Sequence, residues 1–295
     1  MSNVKIQASA IFACILWASA FMGGKYALAF IPPLHLAGLR LMIASCLLLL
    51  FLRINPFKGL SGYYGWVALL SLFQTVIVFC TFNLGLNLVP GSFGAIIIGA
   101  SPAVSALVAV LILKDEHMTL RKGFGLFLGL LGVVVLTLSR EPWTEAGLHE
   151  FMGVGLLMIC NFSSAFGYVI IKKRLQGLPP LSVNFVQTFF GGLVVFVLAF
   201  VFEPMGKVVY TVPLVLSVLF LASITAIAVS LWMVILMQPQ VRISTISMWK
   251  FLIPSLGAVL SWIFIPDDKP SLLMVFVILA IVFAVVFTVS NPEKQ

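Results

Sequence analysis

Three cations lie inside uninterrupted apolar runs of this 295-residue chain: Lys25, Arg40 and Lys250. A charged side chain at such a depth costs about 2.5 to 3.5 kcal/mol on insertion scales, so each is expected to face protein or water rather than lipid. Lys25 and Arg40 fall at similar depth near one end of the first two runs, where long side chains reach back toward the interface. Both suit interhelix hydrogen bonds and the geometry of an outer gate, or direct contact with a ligand. Lys250 is deeper, seven residues past Ile243 where its run begins, which is about 10 Å along a helix at 1.5 Å per residue. No Asp or Glu occurs inside any apolar run. An ammonium there needs carbonyls, water or a negatively charged ligand, and binding of a substrate carboxylate or phosphate is the chemistry expected of Lys250.

Other residues could complete such a site. Trp17 and Phe21 share a helix face at i, i+4, Trp249 adjoins Lys250, and Tyr168 occupies a position related to Phe21 by the repeat described below. Together they offer an aromatic wall. The amides Gln74, Asn161 and Gln187 are the polar side chains least easily satisfied by their own backbone, unlike Ser and Thr, which usually bond helix to helix. Catalytic machinery is not visible: there is no phosphate-cradling glycine loop and no metal-ligand spacing. Cys14, Cys46, Cys80 and Cys160 are dispersed in apolar runs without pairing and read as packing residues. The chain is therefore expected to be no enzyme, to use no metal or cofactor, and to bind no nucleic acid. Intramembrane carboxylates or histidines usually carry protons in coupled carriers. Here His35, His117 and His149 sit at run ends or in loops, so movement down a substrate gradient is expected instead.

The elements that must position these groups follow from composition. Hydrophobic residues make up 62% and charged residues only 9%, against roughly 25% charged in soluble domains. Apolar runs long enough to span a bilayer fall near 7–30, 34–52, 63–88, 91–113, 120–138, 151–171, 181–202, 212–236, 243–265 and 270–289. Lipid cannot satisfy free backbone groups, and the runs lack the alternation of a barrel. An all-α, polytopic membrane protein of ten transmembrane helices is expected. With the N-terminus in the cytoplasm, Lys5, Arg53, Lys58, Lys114, Arg121, Lys122, Lys172, Lys173, Arg174, Arg242 and Lys294 lie inside, against Arg140, Lys207 and Lys269 outside. That bias places both termini in the cytoplasm, and it accounts for the net charge of +8 without a nucleic-acid partner.

Residues 17–34 slide onto 164–181 without a gap, matching Ala18 to Ala165, Lys25 to Lys172 and Pro32-Pro33-Leu34 to Pro179-Pro180-Leu181. Farther on, Ser92 matches Ser244, Pro102 matches Pro254 and Asp115 matches Asp267. Two halves, 1–140 and 151–295, of five helices each are implied. Five spans per half force the second copy to enter the membrane from the opposite side. Inverted repeats of this kind build transporters with a midplane site and alternating access for a small-molecule substrate. Gly125 and Gly129 form a GxxxG pattern suited to close packing and to a dimer, so a monomer or a homodimer in the lipid bilayer is expected.

The series Trp17, Phe21, Lys25, Pro32-Pro33, Ala37 and Arg40, followed by Asp115-Glu116, Gly125, Gly132 and Val133, resembles the EamA family of the drug/metabolite transporter superfamily. In the second half Arg40 is answered by Gln187, and Val277 and Ala284 stand where glycines would follow Asp268. The resemblance implies a bacterial inner-membrane carrier built of two EamA repeats, and several such carriers export amino acids or related metabolites. An exporter of amino acids or amino-acid-derived metabolites is thus expected. The alternative is uptake or exchange of a larger anionic or aromatic metabolite, such as a nucleotide-like compound or a vitamin.

Overall fold

The computed structural model describes the chain apart from residues 52–54, 58, 90–93, 95–96, 139–146, 204–207, 209–210, 265–271 and 290–295, and apart from the side chains of residues 21, 22, 25, 51, 136–138, 148, 261 and 264. Arg53, Lys58, Arg140, Lys207, Lys269 and Lys294 of the charge pattern therefore lie outside the described residues, as do the side chains of Phe21 and Lys25. All regular structure among the described residues is helical. This is the state in which every backbone N–H and C=O of an apolar segment is bonded within its own segment.

The helices are α1 (Asn3–Ala27), α2 (Pro33–Phe51), α3 (Tyr64–Leu88), α4 (Ser101–Ile112), α5 (Leu120–Leu138), α6 (Leu148–Ile170), α7 (Pro180–Phe202), α8 (Val212–Leu236), α9 (Ile243–Phe264) and α10 (Leu272–Val289). Among the described residues, eight helical segments are long and apolar enough to cross a membrane, and Ile97–Ile112 is a shorter apolar one. Of the described helices, three are not uniformly α-helical. α3 carries a π-helical turn at Leu72–Ile77, α6 continues into another at Ile171–Leu175, and α9 tightens to a 3₁₀-helix at Ser247–Phe251. The break in α9 has a cause in sequence: Pro254 has no N–H to offer the Lys250 carbonyl four residues earlier, and its ring crowds that carbonyl. Proline also sits in the first turn of α2, α4, α7 and α8, where its missing donor costs nothing.

The bundle is held largely by contacts between the two halves of the chain. α2 packs along α7, α1 along α8 and α9, α3 along α6, α4 along α6 and α9, and α5 along α10. The α2–α7 contact is close because it is made by glycines: a Cβ on Gly38 would lie 2.7 Å from the Phe196 Cα, and one on Gly192 2.8 Å from the Leu41 Cβ. In lipid, where apolar side chains gain nothing by leaving the solvent, such backbone approach supplies much of the association. The glycines of α5 serve the same end within the chain. A Cβ on Gly129 would meet the Phe251 ring at 2.6 Å and one on Gly125 would strike the Thr288 side chain. The GxxxG face expected to suit a dimer is thereby covered by α9 and α10 of the same chain. Outward faces carry large apolar residues such as Phe127, Phe151, Val201, Phe276 and Phe283. Polar residues, among them Asn83, Asn161, Asn184 and Gln187, are buried.

Candidate functional site

Between the helices lies a cavity of about 190 Å³ whose lining draws on both halves of the chain. Trp17, Arg40, Gln74 and Phe79 come from α1–α3, and Tyr168, Gln187, Thr225 and Lys250 from α6–α9. Two of the helix irregularities fall at this wall. The π-turn of α3 carries Gln74 and Thr75, and the 3₁₀ stretch of α9 carries Lys250. Departures of this kind re-aim side chains that a regular helix would direct elsewhere.

The Lys250 ammonium is buried and held by aromatic groups. It donates to the Tyr168 hydroxyl, and its Nζ stands 4.6 Å from the Tyr168 ring centroid, 5.4 Å from that of Trp232 and 5.7 Å from that of Trp17. Trp17 and Trp232 meet edge to face at 5.2 Å, which fixes both rings around the cation. Attraction of a cation to ring faces strengthens as water is removed, so this cage stabilises the charge without neutralising it. The protein partners that the sequence left open for Lys250 are thus one phenol and three rings. Arg40 is handled in a parallel way. Its Nε donates to Thr225 Oγ1 at 2.5 Å, Thr225 in turn donates to the Leu221 carbonyl at 2.8 Å, and the guanidinium lies 5.2 Å from the Phe79 ring centroid. Both cations therefore face one cavity supported only by neutral groups, and no Asp or Glu is among the described lining residues.

The amides divide. Gln187 lines the cavity and donates from Nε2 to Asn184 Oδ1 at 2.9 Å, while Asn184 donates to Ser230 Oγ at 2.9 Å. The Oε1 atoms of Gln187 and Gln74 are buried with no hydrogen-bond partner, acceptors that the protein itself leaves unsatisfied. Asn161 is not in the lining. It donates to the Ile97 carbonyl at 2.5 Å and joins α6 to the segment before α4. Trp249 is buried outside the lining as well, because the 3₁₀ turn directs neighbouring residues to different sides. Its backbone carbonyl accepts from the Cys14 thiol at 3.3 Å.

Several contributors were not singled out by sequence reasoning. Trp232 and Thr225 lie seven residues apart on α8, two turns on one face; Trp232 does not stand out in a helix so apolar, and Thr225 reads as one of the hydroxyls that usually bond helix to helix. Asn184 lies close enough to the start of its run to pass for an interfacial residue. The helix-capping carboxylates are more informative. Glu116, after α4, accepts from the Ile243 N–H, from the Ser244 hydroxyl and, at 3.3 Å, from the Ser244 N–H at the start of α9. Glu203, after α7, accepts from the Leu34 N–H at 2.9 and 3.0 Å and from the His35 N–H at 3.1 Å at the start of α2, with His35 Nδ1 also 3.1 Å away. Each carboxylate from one half thus caps a helix of the other, satisfying otherwise orphaned donors and the positive end of the helix dipole.

An apolar helical bundle with a buried, cation-lined cavity drawn from both halves of the chain is the architecture of a multi-pass membrane transporter. The chain belongs to the EamA-like transporter family, whose model matches residues 5–138 and 151–290. It is 27% identical over 96% of its length to an uncharacterized transporter, YvbV, of Bacillus subtilis, covering 92% of that protein. It is 26% identical over 77% of its length to an S-adenosylmethionine/S-adenosylhomocysteine transporter of Chlamydia muridarum, covering 74% of that protein. A probable amino-acid metabolite efflux pump of Escherichia coli is 25% identical over 57% of this chain and 53% of its own. A solved crystal structure superposes over 99% of both chains with a TM-score of 0.83 at 18% identity, which establishes the likeness of fold.

Proposed function

We propose that this protein is a bacterial inner-membrane exporter of amino-acid-derived organic anions, working by alternating access of two inverted five-helix repeats, 1–140 and 151–295, with both termini in the cytoplasm. The observation that carries the reading is the pair Arg40 and Lys250, one from each half, facing a single aromatic-walled cavity without a described carboxylate. A buried cation without a counterion favours an anion as ligand. In this reading Lys250 and Arg40 hold the carboxylate, Trp17 and Tyr168 the organic part, and Gln74 and Gln187 a hydrogen-bond donor.

The helix pairings support the repeat. Exchanging each helix for the one five places away turns α1–α8 into α6–α3, α1–α9 into α6–α4 and α2–α8 into α7–α3, all of which are packed pairs. The pairs α2–α7, α4–α9 and α5–α10 are their own images. The cavity volume of about 190 Å³ lies below the roughly 300 to 1,000 Å³ of drug-sized sites and favours a small metabolite. A larger nucleotide-like substrate is the second reading, supported by the relative named for S-adenosylmethionine. Metabolite profiling of medium from overexpressing and deletion cells tests the proposal. The expected result is an anionic amino-acid derivative enriched outside the overexpressing cells and depleted outside the deletion cells. Medium in which only neutral or cationic compounds respond would overturn it.

A further inference from the structure

Resting on that reading, we infer that the cavity selects dianions lacking a free ammonium group: dicarboxylates, or amino dicarboxylates whose amine is acylated, rather than zwitterionic amino acids. Arg40 and Lys250 are both held by neutral partners and both unneutralised by any described carboxylate. Among the described residues the Arg40 guanidinium donates to Thr225 through Nε, and Arg40 is part of the cavity lining. A monoanion leaves one of the two described buried positive charges uncompensated, whereas a dianion offsets both, and in a low-dielectric interior that difference is large.

The same charges act against an ammonium. A zwitterionic amino acid would bring a third positive charge beside two cations, with no described lining carboxylate to receive it. The usual alternative receptor for an ammonium is a cage of aromatic faces. Here that cage, formed by Trp17, Tyr168 and Trp232, is already filled by Lys250 itself. What remains unpaired is neutral. The buried Oε1 atoms of Gln74 and Gln187 are acceptors for the N–H of an acylated amine or for a hydroxyl, but carrying no charge they do not offset that of an ammonium beside two cations.

Isothermal titration of the full-length protein in lipid nanodiscs, at a pH where carboxyl groups are ionised, separates these terms with matched ligands. Benzylsuccinate and 3-phenylpropanoate differ by one carboxymethyl group and so by one negative charge, and N-acetylglutamate and glutamate differ by an acetyl group that removes the charge on the amine. Benzylsuccinate is expected to bind at least tenfold tighter than 3-phenylpropanoate, and N-acetylglutamate at least tenfold tighter than glutamate. Lys250→Met should shrink the first ratio to about two or less, and Lys250→Arg should retain it, with thermal melting reporting that both variants are folded. Phenyl phosphate provides a dianion of the other source. Binding as tight as that of benzylsuccinate would place the two charges on one group, and weaker binding would place them on separate carboxylates; both are dianion recognition. Equal binding of mono- and dianion, or glutamate matching N-acetylglutamate, overturns the inference while leaving an organic-anion carrier. Failure of every one of these anions to bind would overturn the organic-anion reading itself.

Discussion

Lys250 concentrates the chemistry of this chain in one atom. Its ammonium has the Tyr168 hydroxyl and three ring faces but no carboxylate, so it is stabilised yet still able to bind an anion. Replacement by Met keeps the length and apolar stem and removes the charge. Affinity for the transported anion should fall by the value of a hydrogen bond to a charged group, about 1.5 to 3 kcal/mol, or roughly tenfold or more. The fold should survive, because deleting a buried charge that lacks a counterion removes a cost rather than a partner. Binding to the purified variant, alongside its melting temperature, checks both expectations. Unchanged affinity would shift attention to Arg40 and the two glutamines.

At the scale of elements, the halves are joined by glycine contacts and by carboxylate caps. Gly38→Val would push a branched side chain against the Phe196 backbone, only 2.7 Å from where the Cβ must go. Overpacking of this kind costs about 1 to 3 kcal/mol, and a marked loss of melting temperature or of monodisperse protein is expected. Gly257→Ala is the control, since nothing lies within 4 Å of its Cβ and alanine favours a helix by about 0.5 to 1 kcal/mol. Glu116→Ala should be destabilising for a different reason. It leaves the Ile243 and Ser244 donors at the buried start of α9 without an acceptor, a loss of about 1 to 3 kcal/mol. Because α9 carries Lys250, the same variant is expected to weaken substrate binding, whereas Gly38→Val acts at α2 and α7 and disturbs the Arg40 side. Thermal melting and titration of the two variants in parallel separate these effects.

For the whole molecule, two expectations concern energetics and orientation. Among the described residues, the carboxylates of Glu116, which is buried, and Glu203, which is mostly covered, are committed to helix N-termini, and no Asp or Glu is among the described lining residues of the cavity. Substrate flux in proteoliposomes should therefore proceed down a substrate gradient with no imposed proton or sodium gradient, and strict dependence on either ion would be the contrary result. Orientation rests on the eleven-to-three distribution of loop cations. In cells, a single cysteine introduced at position 207 should be labelled by an impermeant maleimide from the periplasm and one at position 58 should not; the reverse pattern would invert the assignment.

Much of this architecture could be read from one dimension. Apolar runs without charges oblige a chain in lipid to form helices of bilayer length, and the helices observed over Pro33–Phe51, Pro180–Phe202 and Val212–Leu236 lie within a residue or so of those runs. The cost of burying charge likewise singled out Lys250 and Arg40 before any fold was known, because that penalty depends on depth along a helix and not on neighbours. Direction is another matter. Whether Gln74 or Asn161 turns to the cavity, and which of Trp249 and Lys250 does, depends on the π-turn of α3 and the 3₁₀ turn of α9, and helical periodicity does not foresee them, though Pro254 marks the second. The cage is more remote still. Trp17, Tyr168, Trp232 and Lys250 come from four helices, and Glu116 and Glu203 find their donors 127 and 169 residues away. In a chain this apolar no local pattern encodes such partnerships, because burial makes every helix face look alike until packing decides which faces meet.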